Sequence, residues 1–322
     1  MIVLWRITDR CNYACSFCAF DRRIAGMRRD VEAASVERFG SLLGEYGKST
    51  GEPILLSWLG GEPLLWAPIF EMSEYLNLEH GINISVTTNG STLHLPSTIP
   101  QILKSFSELT ISVDGFADFH NQLRGSPGGW ERLRDSTRHL VAERDAIGAK
   151  LKLRVNIVLM RDNLADFPRL CEELASWQVD EITFNQLGGR DRPEFFPDHA
   201  LRPEDVRQLR ELLPGLRESL AEHNVKLCGS ETYLQRIEAS AHQISIPIMD
   251  CSPGERFLFI DEMGRIAPCS FTNAEYGVHI DSVTELNDIL NLSPQFRAAR
   301  KNLVAKACDD CSSNHMYAKF TV

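Results

Sequence analysis

The segment Thr8-Asp9-Arg10-Cys11-Asn12-Tyr13-Ala14-Cys15-Ser16-Phe17-Cys18 carries three cysteines in the spacing Cys-x3-Cys-x2-Cys. It directly follows an apolar run, residues 2–7, that predicts a first β-strand. Three thiolates leave one iron of a four-iron cluster with an open position, which a small ligand can occupy. Structural zinc normally takes four ligands, and no histidine or fourth cysteine lies close in the sequence. The spacing therefore predicts an iron–sulfur cluster with one open iron, and zinc or a chance grouping is the alternative.

Further β-type runs follow along the first 195 residues, with apolar residues at helical spacing between them. Six successive βα units imply parallel strands joined by right-handed crossovers. We therefore predict an α/β fold, a partial (β/α)6 barrel over residues 1–195. A doubly wound sheet is the alternative, but no glycine-rich nucleotide fingerprint follows the first strand. The later strands are predicted at 53–58, 82–86, 109–113, 151–159 and 181–184.

The rest of the chain divides in two by its residue pattern. Residues 196–248 are expected to form linker helices on the substrate side, one of them opened by Pro203 and interrupted at Pro214. Residues 249–322 are predicted to form a small α+β iron–sulfur domain that contains a hairpin. Nearer the N-terminus, Asp30 is well placed to cap the first helix.

The composition and charge exclude several classes of protein. The chain has 322 residues, 43% of them apolar, and a formal net charge of −10. An acidic balance argues against a nucleic-acid backbone or an anionic membrane as the main partner. No apolar run is long enough to span a bilayer, and residues 1–6 lack the features of a signal peptide, so we expect a cytoplasmic protein. In a reducing compartment, an odd set of nine cysteines indicates metal binding rather than disulfides.

The cysteine loop closely resembles the signature loop of radical S-adenosylmethionine (radical SAM) enzymes, including the aromatic Phe17 before its third cysteine. We assign Phe17 to the cofactor-binding set on this resemblance. A second match is Gly60-Gly61-Glu62-Pro63-Leu64-Leu65, at the end of the second predicted strand. The resemblance implies that this segment, through Gly61 and Glu62, holds the methionine amino group of SAM. Glycine admits a close backbone approach, and a carboxylate suits an ammonium.

Later parts of the predicted barrel match the same family. Thr87-Thr88-Asn89-Gly90 ends the third predicted strand, and Ile111-Ser112-Val113-Asp114-Gly115 ends the fourth. The resemblance implies that Thr88 and Ser112 contact the ribose of SAM and that Arg124 contacts its carboxylate. These residues lie at or after the carboxyl ends of strands, where βα barrels build their sites.

Membership of this family would imply a particular chemistry. The reduced cluster cleaves SAM to methionine and a 5′-deoxyadenosyl radical, and that radical removes a hydrogen atom from an unactivated C–H bond. An external one-electron donor such as flavodoxin or ferredoxin would reduce the cluster. The cofactor carries out the difficult step, while the protein supplies aim and excludes water.

Four further cysteines form a second group near the C-terminus, with the spacing Cys-x17-Cys, a long gap and Cys-x2-Cys. The group resembles the twitch extension of radical SAM enzymes, which implies an auxiliary 4Fe–4S cluster. A zinc ribbon is the alternative, because four thiolates suit zinc equally well. If a cluster is present, four ligands leave no iron for substrate, so its expected role is to accept the electron left when a substrate radical is oxidised. The four are Cys251, Cys269, Cys308 and Cys311.

The two remaining cysteines have separate interpretations. Cys171 lies in an apolar helical pattern and is interpreted as a buried structural thiol. Cys228 lies beyond the linker helix. A thiol near a substrate radical can return a hydrogen atom, which turns dehydrogenation into epimerisation. Cys228 is therefore a candidate catalytic residue, with an inert structural cysteine as the alternative.

Strand alternation gives four candidate substrate-binding residues that would face the lumen of the barrel. A lumen lined in this way is polar and suits a hydroxyl-rich, amine-bearing or anionic small molecule. For each residue, a structural role such as an ion pair is the alternative. The four candidates are Arg6, Arg154, Asn156 and Asn185.

Three functions follow from these features. The first is a radical SAM oxidoreductase or epimerase acting on an aminocyclitol, amino sugar or similar natural-product intermediate, as in antibiotic biosynthesis. The four-cysteine extension resembles that of deoxy-scyllo-inosamine dehydrogenase, and aminoglycoside epimerases are a neighbouring possibility. The second is a maturase that crosslinks or otherwise oxidises a ribosomally made peptide. The third is a zinc-stabilised binding module without enzymatic activity.

Overall fold

The strands form a single curved sheet. The computed structural model describes residues 1–26 and 28–322, and these residues form one ten-stranded sheet. The strands are β1 (Ile2–Thr8), β2 (Leu55–Gly60), β3 (Asn83–Thr88), β4 (Glu108–Ser112), β5 (Lys152–Leu159), β6 (Glu181–Gln186), β7 (Lys226–Leu227), β8 (Phe257–Ile260), β9 (Arg265–Ala267) and β10 (Val278–His279).

Helices alternate with the first six strands, as the apolar spacing predicts. The first helix buries Val36, Phe39 and Leu43 on one face and ends at Gly51, whose φ of 73° suits a glycine cap. The helices are α1 (Ala33–Thr50), α2 (Ile69–His80), α3 (Thr98–Ser105), α4 (Ala117–Arg124), α5 (Gly129–Ile147), α6 (Phe167–Ser176), α7 (Phe196–His199), α8 (Pro203–Glu222), α9 (Glu231–Ala241), α10 (Asn273–Tyr276) and α11 (Leu286–Asn302).

The strand order confirms the partial barrel. Strands β1 to β7 lie side by side in chain order, and each pairs in parallel with the next. A doubly wound sheet reverses its strand order at a switch point, and no reversal occurs along these seven strands. The carboxyl ends of the strands therefore gather at one edge, where the predicted cofactor segments lie.

The two faces of the sheet differ in character. On β5, the side chains of Leu153, Val155 and Ile157 are fully buried beneath the outer helices. Between them, Arg154 and Asn156 face the lumen and are partly exposed. Burying each large apolar side chain contributes about 1.5–3 kcal/mol, so the outer face holds the fold together and leaves the lumen free for polar groups.

The C-terminal segment joins the same sheet. Strand β8 pairs in parallel with β1, and β9 returns antiparallel to β8, which confirms the predicted hairpin. The sheet therefore continues across the predicted boundary at residue 249, and the division of the chain into three segments stays a prediction. Within the described residues, no helix is both long enough and apolar enough to cross a bilayer.

Two local predictions are wrong. Helix α1 begins after Glu32, and Asp30 does not cap it because its carboxylate accepts a 2.6 Å hydrogen bond from Thr8 Oγ1. Helix α8 runs through Pro214 without interruption. Pro214 lies on the exposed face of the helix, where water can satisfy the carbonyl that loses its N–H partner. Pro203 does open this helix, as predicted.

Candidate functional site

Three cysteine side chains lie in the loop that follows β1. Cys15 is buried, while Cys11 and Cys18 are partly buried. The Sγ of Cys11 accepts from the backbone N–H of Tyr13 at 3.4 Å, and that of Cys18 from Phe20 at 3.4 Å. Such contacts favour a thiolate, which is the form that ligates iron.

These thiols lie close enough to affect one another's charge. Burial, together with the neighbouring Cys18 and Cys11 thiols, raises the pKa of Cys15 to about 12. Only the thiolate ligates a metal, so a cluster bound by these three neighbouring thiols has to offset this rise with its own positive charge. The donor set therefore fits a cluster held by three cysteines.

A buried arginine supplies positive charge to the same site. Arg124 is 6% exposed and binds Asp114 Oδ2 through Nη2 at 2.7 Å and through Nε at 2.8 Å. The guanidinium partly offsets the rise in the pKa of Cys11, Cys15 and Cys18. Its partner here is Asp114, and its contact with the carboxylate of SAM stays a prediction.

Glu62 lies fully buried where β2 ends. Its carboxylate accepts hydrogen bonds from Thr88 Oγ1 and the backbone N–H of Asn89, both at 2.7 Å, and from Leu64 N at 3.1 Å. Burial raises the pKa of Glu62 to about 7 in spite of these donors. Thr88 Oγ1 also accepts from Gly90 N at 2.9 Å. The side chains of Glu62 and Thr88 therefore link the end of β2 to the end of β3.

Gly61 brings the end of β2 against the cysteine loop. A Cβ at this position would lie 2.2 Å from the carbonyl oxygen of Arg10, so the close approach requires glycine. The backbone N–H of Gly61 donates to Thr8 O at 2.9 Å, and that of Glu62 to Arg10 O at 2.7 Å. The glycine-rich segment and the cysteine loop therefore form one backbone unit.

The remaining predicted cofactor residues lie at the same edge of the barrel. Ser112 ends β4 and is partly exposed. The ring of Phe17 lies 5.8 Å from Cζ of Arg124 and packs with a small apolar cluster that includes Leu123, Met160 and Leu187. This apolar surface beside a polar, charged loop suits a ligand with both an aromatic and a charged part.

The second group of cysteines also converges. Burial raises the pKa of Cys251, and the charges of Cys269, Cys308 and Cys311 raise it further. A backbone hydrogen bond from Cys311 N to Ile246 O, at 3.1 Å, holds the Cys308–Cys311 turn against the segment that precedes Cys251. Within the described chain, no three His, Cys, Asp or Glu side chains surround a point that a single metal ion could fill. Four thiolates suit a closed four-iron cluster and zinc alike, so the auxiliary cluster at this group stays a prediction.

Both predicted arginines of the lumen are already paired. Arg6 binds Glu262, and its guanidinium lies over two aromatic rings. Arg154 binds Glu181 at 2.6 Å and Glu108 at 3.3 Å. Both arginines therefore form the ion pairs that the alternative interpretation expects. A contact of either arginine with substrate stays a prediction.

The predicted asparagines of the lumen meet a segment that sequence reasoning missed. Residues 313–322 run from the second cysteine group along the lumen face of β5 and β6. Asn314 Nδ2 donates to Asn185 Oδ1 at 3.0 Å, and Lys319 Nζ donates to Asn156 Oδ1 at 2.8 Å. His315 stacks on Phe257 of β8 with the ring centroids 4.5 Å apart. The segment thus bridges the open side of the partial barrel, between β8 and β6.

Lys319 is a buried cation in this segment, 5% exposed. Burial and the positive charge of Arg154 together lower the pKa of Lys319 to about 7. No spacing or motif in the sequence marks Lys319, since its position depends on where the last ten residues fold. Lys319 adds to the lumen an amine whose charge changes near neutral pH.

A pH-dependent change in stability is expected for Lys319→Met. The unfolded lysine has a pKa of about 10.4, so burying its ammonium costs stability below about pH 7, and the cost disappears as the pH rises towards 10. The variant should gain about 2–4 kcal/mol at pH 6 and much less at pH 10. Thermal unfolding at the two pH values measures this difference. The control is Lys226→Met, which replaces an exposed lysine whose Nζ donates to Phe320 O. If Lys319→Met gained the same stability at pH 6 and pH 10, the account would be contradicted.

Cys228 lies apart from the cysteine loop. It is buried after β7, and its backbone N–H donates to Ile182 O at 2.9 Å. Besides burial, the charged groups that shift the pKa of Cys228 include Arg154 and Lys319, whereas those acting on Cys15 include Arg124. Cys228 is thus closer in surroundings to the lumen residues than to the cysteine loop, and its role as a hydrogen-atom donor stays a prediction.

An open parallel barrel, with a three-cysteine loop after its first strand and a glycine-rich segment after its second, defines a class of enzyme that joins an iron–sulfur cluster to SAM. Residues 5–184 match the Radical SAM superfamily, and the chain belongs to that superfamily. Its cofactors are therefore a 4Fe–4S cluster and SAM.

Similar proteins carry out several reactions. The chain is 24% identical over 292 residues to the AdoMet-dependent heme synthase of Methanosarcina barkeri, covering 84% of this chain and 76% of that protein. It is 23% identical over 321 residues to the PqqA peptide cyclase of Xanthomonas oryzae, covering 96% and 79%. The crystal structure of Streptococcus suis SuiB bound to S-adenosylmethionine matches 96% of this chain and 71% of its own, with a TM-score of 0.68 at 17% identity. At this sequence identity, the similarity shows that the two chains share a fold.

Proposed function

We propose that the chain is a radical SAM oxidoreductase that dehydrogenates a small, polar, hydroxyl- or amine-bearing molecule bound in the lumen of the barrel. An aminocyclitol or amino sugar is the substrate class we favour. The observation that carries this proposal is the polar lumen face of β5 and β6, across which residues 313–322 lie. A segment in this position narrows the lumen and leaves hydrogen-bonding side chains around it, which suits a small polar molecule.

The residues of the first site divide into ligands and supports. Cys11, Cys15 and Cys18 would hold the cluster, which together with SAM supplies one-electron chemistry that breaks a C–H bond. Arg124 offsets the negative charge of the three thiolates, and Asp114 fixes its position. Glu62 orders the strand ends around the cofactor. These assignments follow from buried contacts at the carboxyl edge of the barrel.

The second cysteine group would hold an auxiliary 4Fe–4S cluster. Its four thiols use every ligand position of such a cluster, so we assign them to electron transfer rather than to substrate binding. Dehydrogenation needs an acceptor for the second electron of the substrate, and this site offers one inside the same chain. Epimerisation needs a hydrogen-atom donor instead, and Cys228, on whose pKa the lumen residues Arg154 and Lys319 act, stays the candidate for that role.

Peptide modification is the second candidate function. It is favoured by the similarity to a PqqA peptide cyclase, which extends over 96% of this chain. A crosslinked peptide is also two hydrogens lighter than its precursor, so both candidates need the electron acceptor. They differ in the substrate that the lumen admits.

Replacing all four cysteines of the second group by alanine separates cleavage of SAM from oxidation of substrate. We expect the variant to form 5′-deoxyadenosine with dithionite but no product two hydrogens lighter, because the first site is intact and the acceptor is missing. The assay incubates the reconstituted enzyme anaerobically with SAM and either candidate aminocyclitols or peptides encoded near the gene. Mass spectrometry follows both products, and Cys171→Ala, a buried cysteine of α6, is the control.

The outcomes of this assay distinguish the proposals. A two-hydrogen loss from a small polar molecule, present with wild type and absent with the four-alanine variant, supports dehydrogenation. The same loss from a peptide alone would replace it with the second candidate. A product of unchanged mass that gains deuterium from solvent would show epimerisation and contradict the proposal.

A further inference from the structure

One arginine lies against the second cysteine group without an acid beside it. Arg300, in the last turn of α11, donates from Nη1 to Cys251 Sγ at 3.6 Å and from Nη2 to the carbonyl of Ile248. Among the described residues, no carboxylate forms an ion pair with Arg300. The anionic partner that this geometry offers the guanidinium is therefore the Cys251 thiolate.

Two other cysteines of the group lie beside neutral donors. Cys269 Sγ lies 3.2 Å from Thr272 Oγ1. Burial raises the pKa of Cys311, and the backbone N–H of Ser313 offsets part of that rise. These contacts favour thiolates but bring no net charge. Arg300 differs from these donors because its guanidinium carries a positive charge.

The two comparable arginines each form an ion pair with an aspartate. Arg236 lies near Cys311, but its Nη1 binds Asp310 Oδ1 at 2.5 Å. At the first site, Arg124 binds Asp114 at 2.7 Å. The Asp310 and Asp114 carboxylates offset part of the charge of Arg236 and Arg124, whereas no carboxylate of the described residues pairs with Arg300.

A positive charge beside a ligand sulfur changes the redox chemistry of a cluster. Reduction makes the cluster more negative, so a fixed cation and an N–H···S contact stabilise the reduced form and raise the reduction potential. We propose that Arg300 is a positioning residue that raises the potential of an iron–sulfur cluster held by Cys251, Cys269, Cys308 and Cys311. This inference rests on the proposed function, in which that cluster accepts an electron from the substrate side.

The test is a redox titration followed by electron paramagnetic resonance. The full chain carries alanine at Cys11, Cys15 and Cys18, so the signal comes from the second site alone. In this background, Arg300→Gln should move the midpoint potential to more negative values and change the shape of the signal. Arg300→Lys, which keeps the charge, should recover most of the wild-type potential.

Arg297→Gln is the matched control, because Arg297 lies one turn earlier on the same helix and pairs with Glu255 at the surface. It should leave the midpoint unchanged. A full iron content with the same midpoint in Arg300→Gln as in the parent would overturn the assignment of Arg300 alone. Loss of iron from both Arg300 variants would also overturn it, because the residue would then be structural. Zinc instead of iron in the parent background would contradict the proposed function itself.

Discussion

Alanine at Cys11, Cys15 and Cys18 should reduce formation of 5′-deoxyadenosine to background. The three thiols are the ligands that the β1 loop offers, and their backbone donors and the nearby Arg124 stabilise the thiolate form. Without them the loop has no means to hold a cluster, so SAM cannot be cleaved reductively. The measurement is chromatography of 5′-deoxyadenosine after anaerobic incubation with dithionite.

A matched control separates loss of ligands from loss of cysteines in general. Cys171→Ala removes a fully buried thiol from α6, on the outer side of the barrel, and should retain the wild-type rate per bound cluster. Wild-type formation of 5′-deoxyadenosine by the three-alanine variant would show that the cluster site lies elsewhere in the chain.

The second large effect is on stability, through the buried pair of Arg124 and Asp114. Asp114 is fully buried and also accepts from Val158 N, on β5, at 2.9 Å. Through Arg124 and Val158 it therefore links the end of α4 to β5. Arg124→Met would leave that carboxylate without its counter-charge. Breaking a buried pair in this way costs about 3–5 kcal/mol. For a chain of this size we expect the thermal midpoint to fall by about 10 °C.

A double-mutant cycle tests the cause of this loss. The variant Arg124→Met with Asp114→Asn removes both charges and should recover part of the stability lost by Arg124→Met alone. Arg124→Lys keeps the charge but loses the two-pronged contact, and it should lie between wild type and methionine. Equal midpoints for the single methionine variant and wild type would show that the pair contributes nothing.

The sequence predicted most of the fold because local patterns determine it. The alternating apolar runs predict strands β1 to β6: the predicted starts of β1 and β6 agree with the observed ones, and those of the other four differ by one or two residues. The hairpin of β8 and β9 was also predictable from its turn residues. What the pattern could not show is that β8 joins β1, because a pairing between residues 2 and 257 depends on how the whole chain closes.

The candidate site was predictable where chemistry requires fixed spacing. The cysteine loop and the glycine-rich segment lie together because Gly61 permits backbone contact with Arg10. The lumen was less predictable, because its charges depend on tertiary pairing. Alternation correctly placed Arg154 on the lumen face but carried no information about Glu108 and Glu181, and nothing local marks Lys319.

The central claim is that this chain holds two four-iron clusters, one at each cysteine group. The most direct measurement is iron, sulfide and zinc per chain after anaerobic reconstitution, with electron paramagnetic resonance of the dithionite-reduced protein. We expect about eight irons, falling to about four when Cys11, Cys15 and Cys18 are all alanine. About four irons and one zinc per chain would contradict the claim, because the second site would then be a structural zinc site with no capacity to accept an electron.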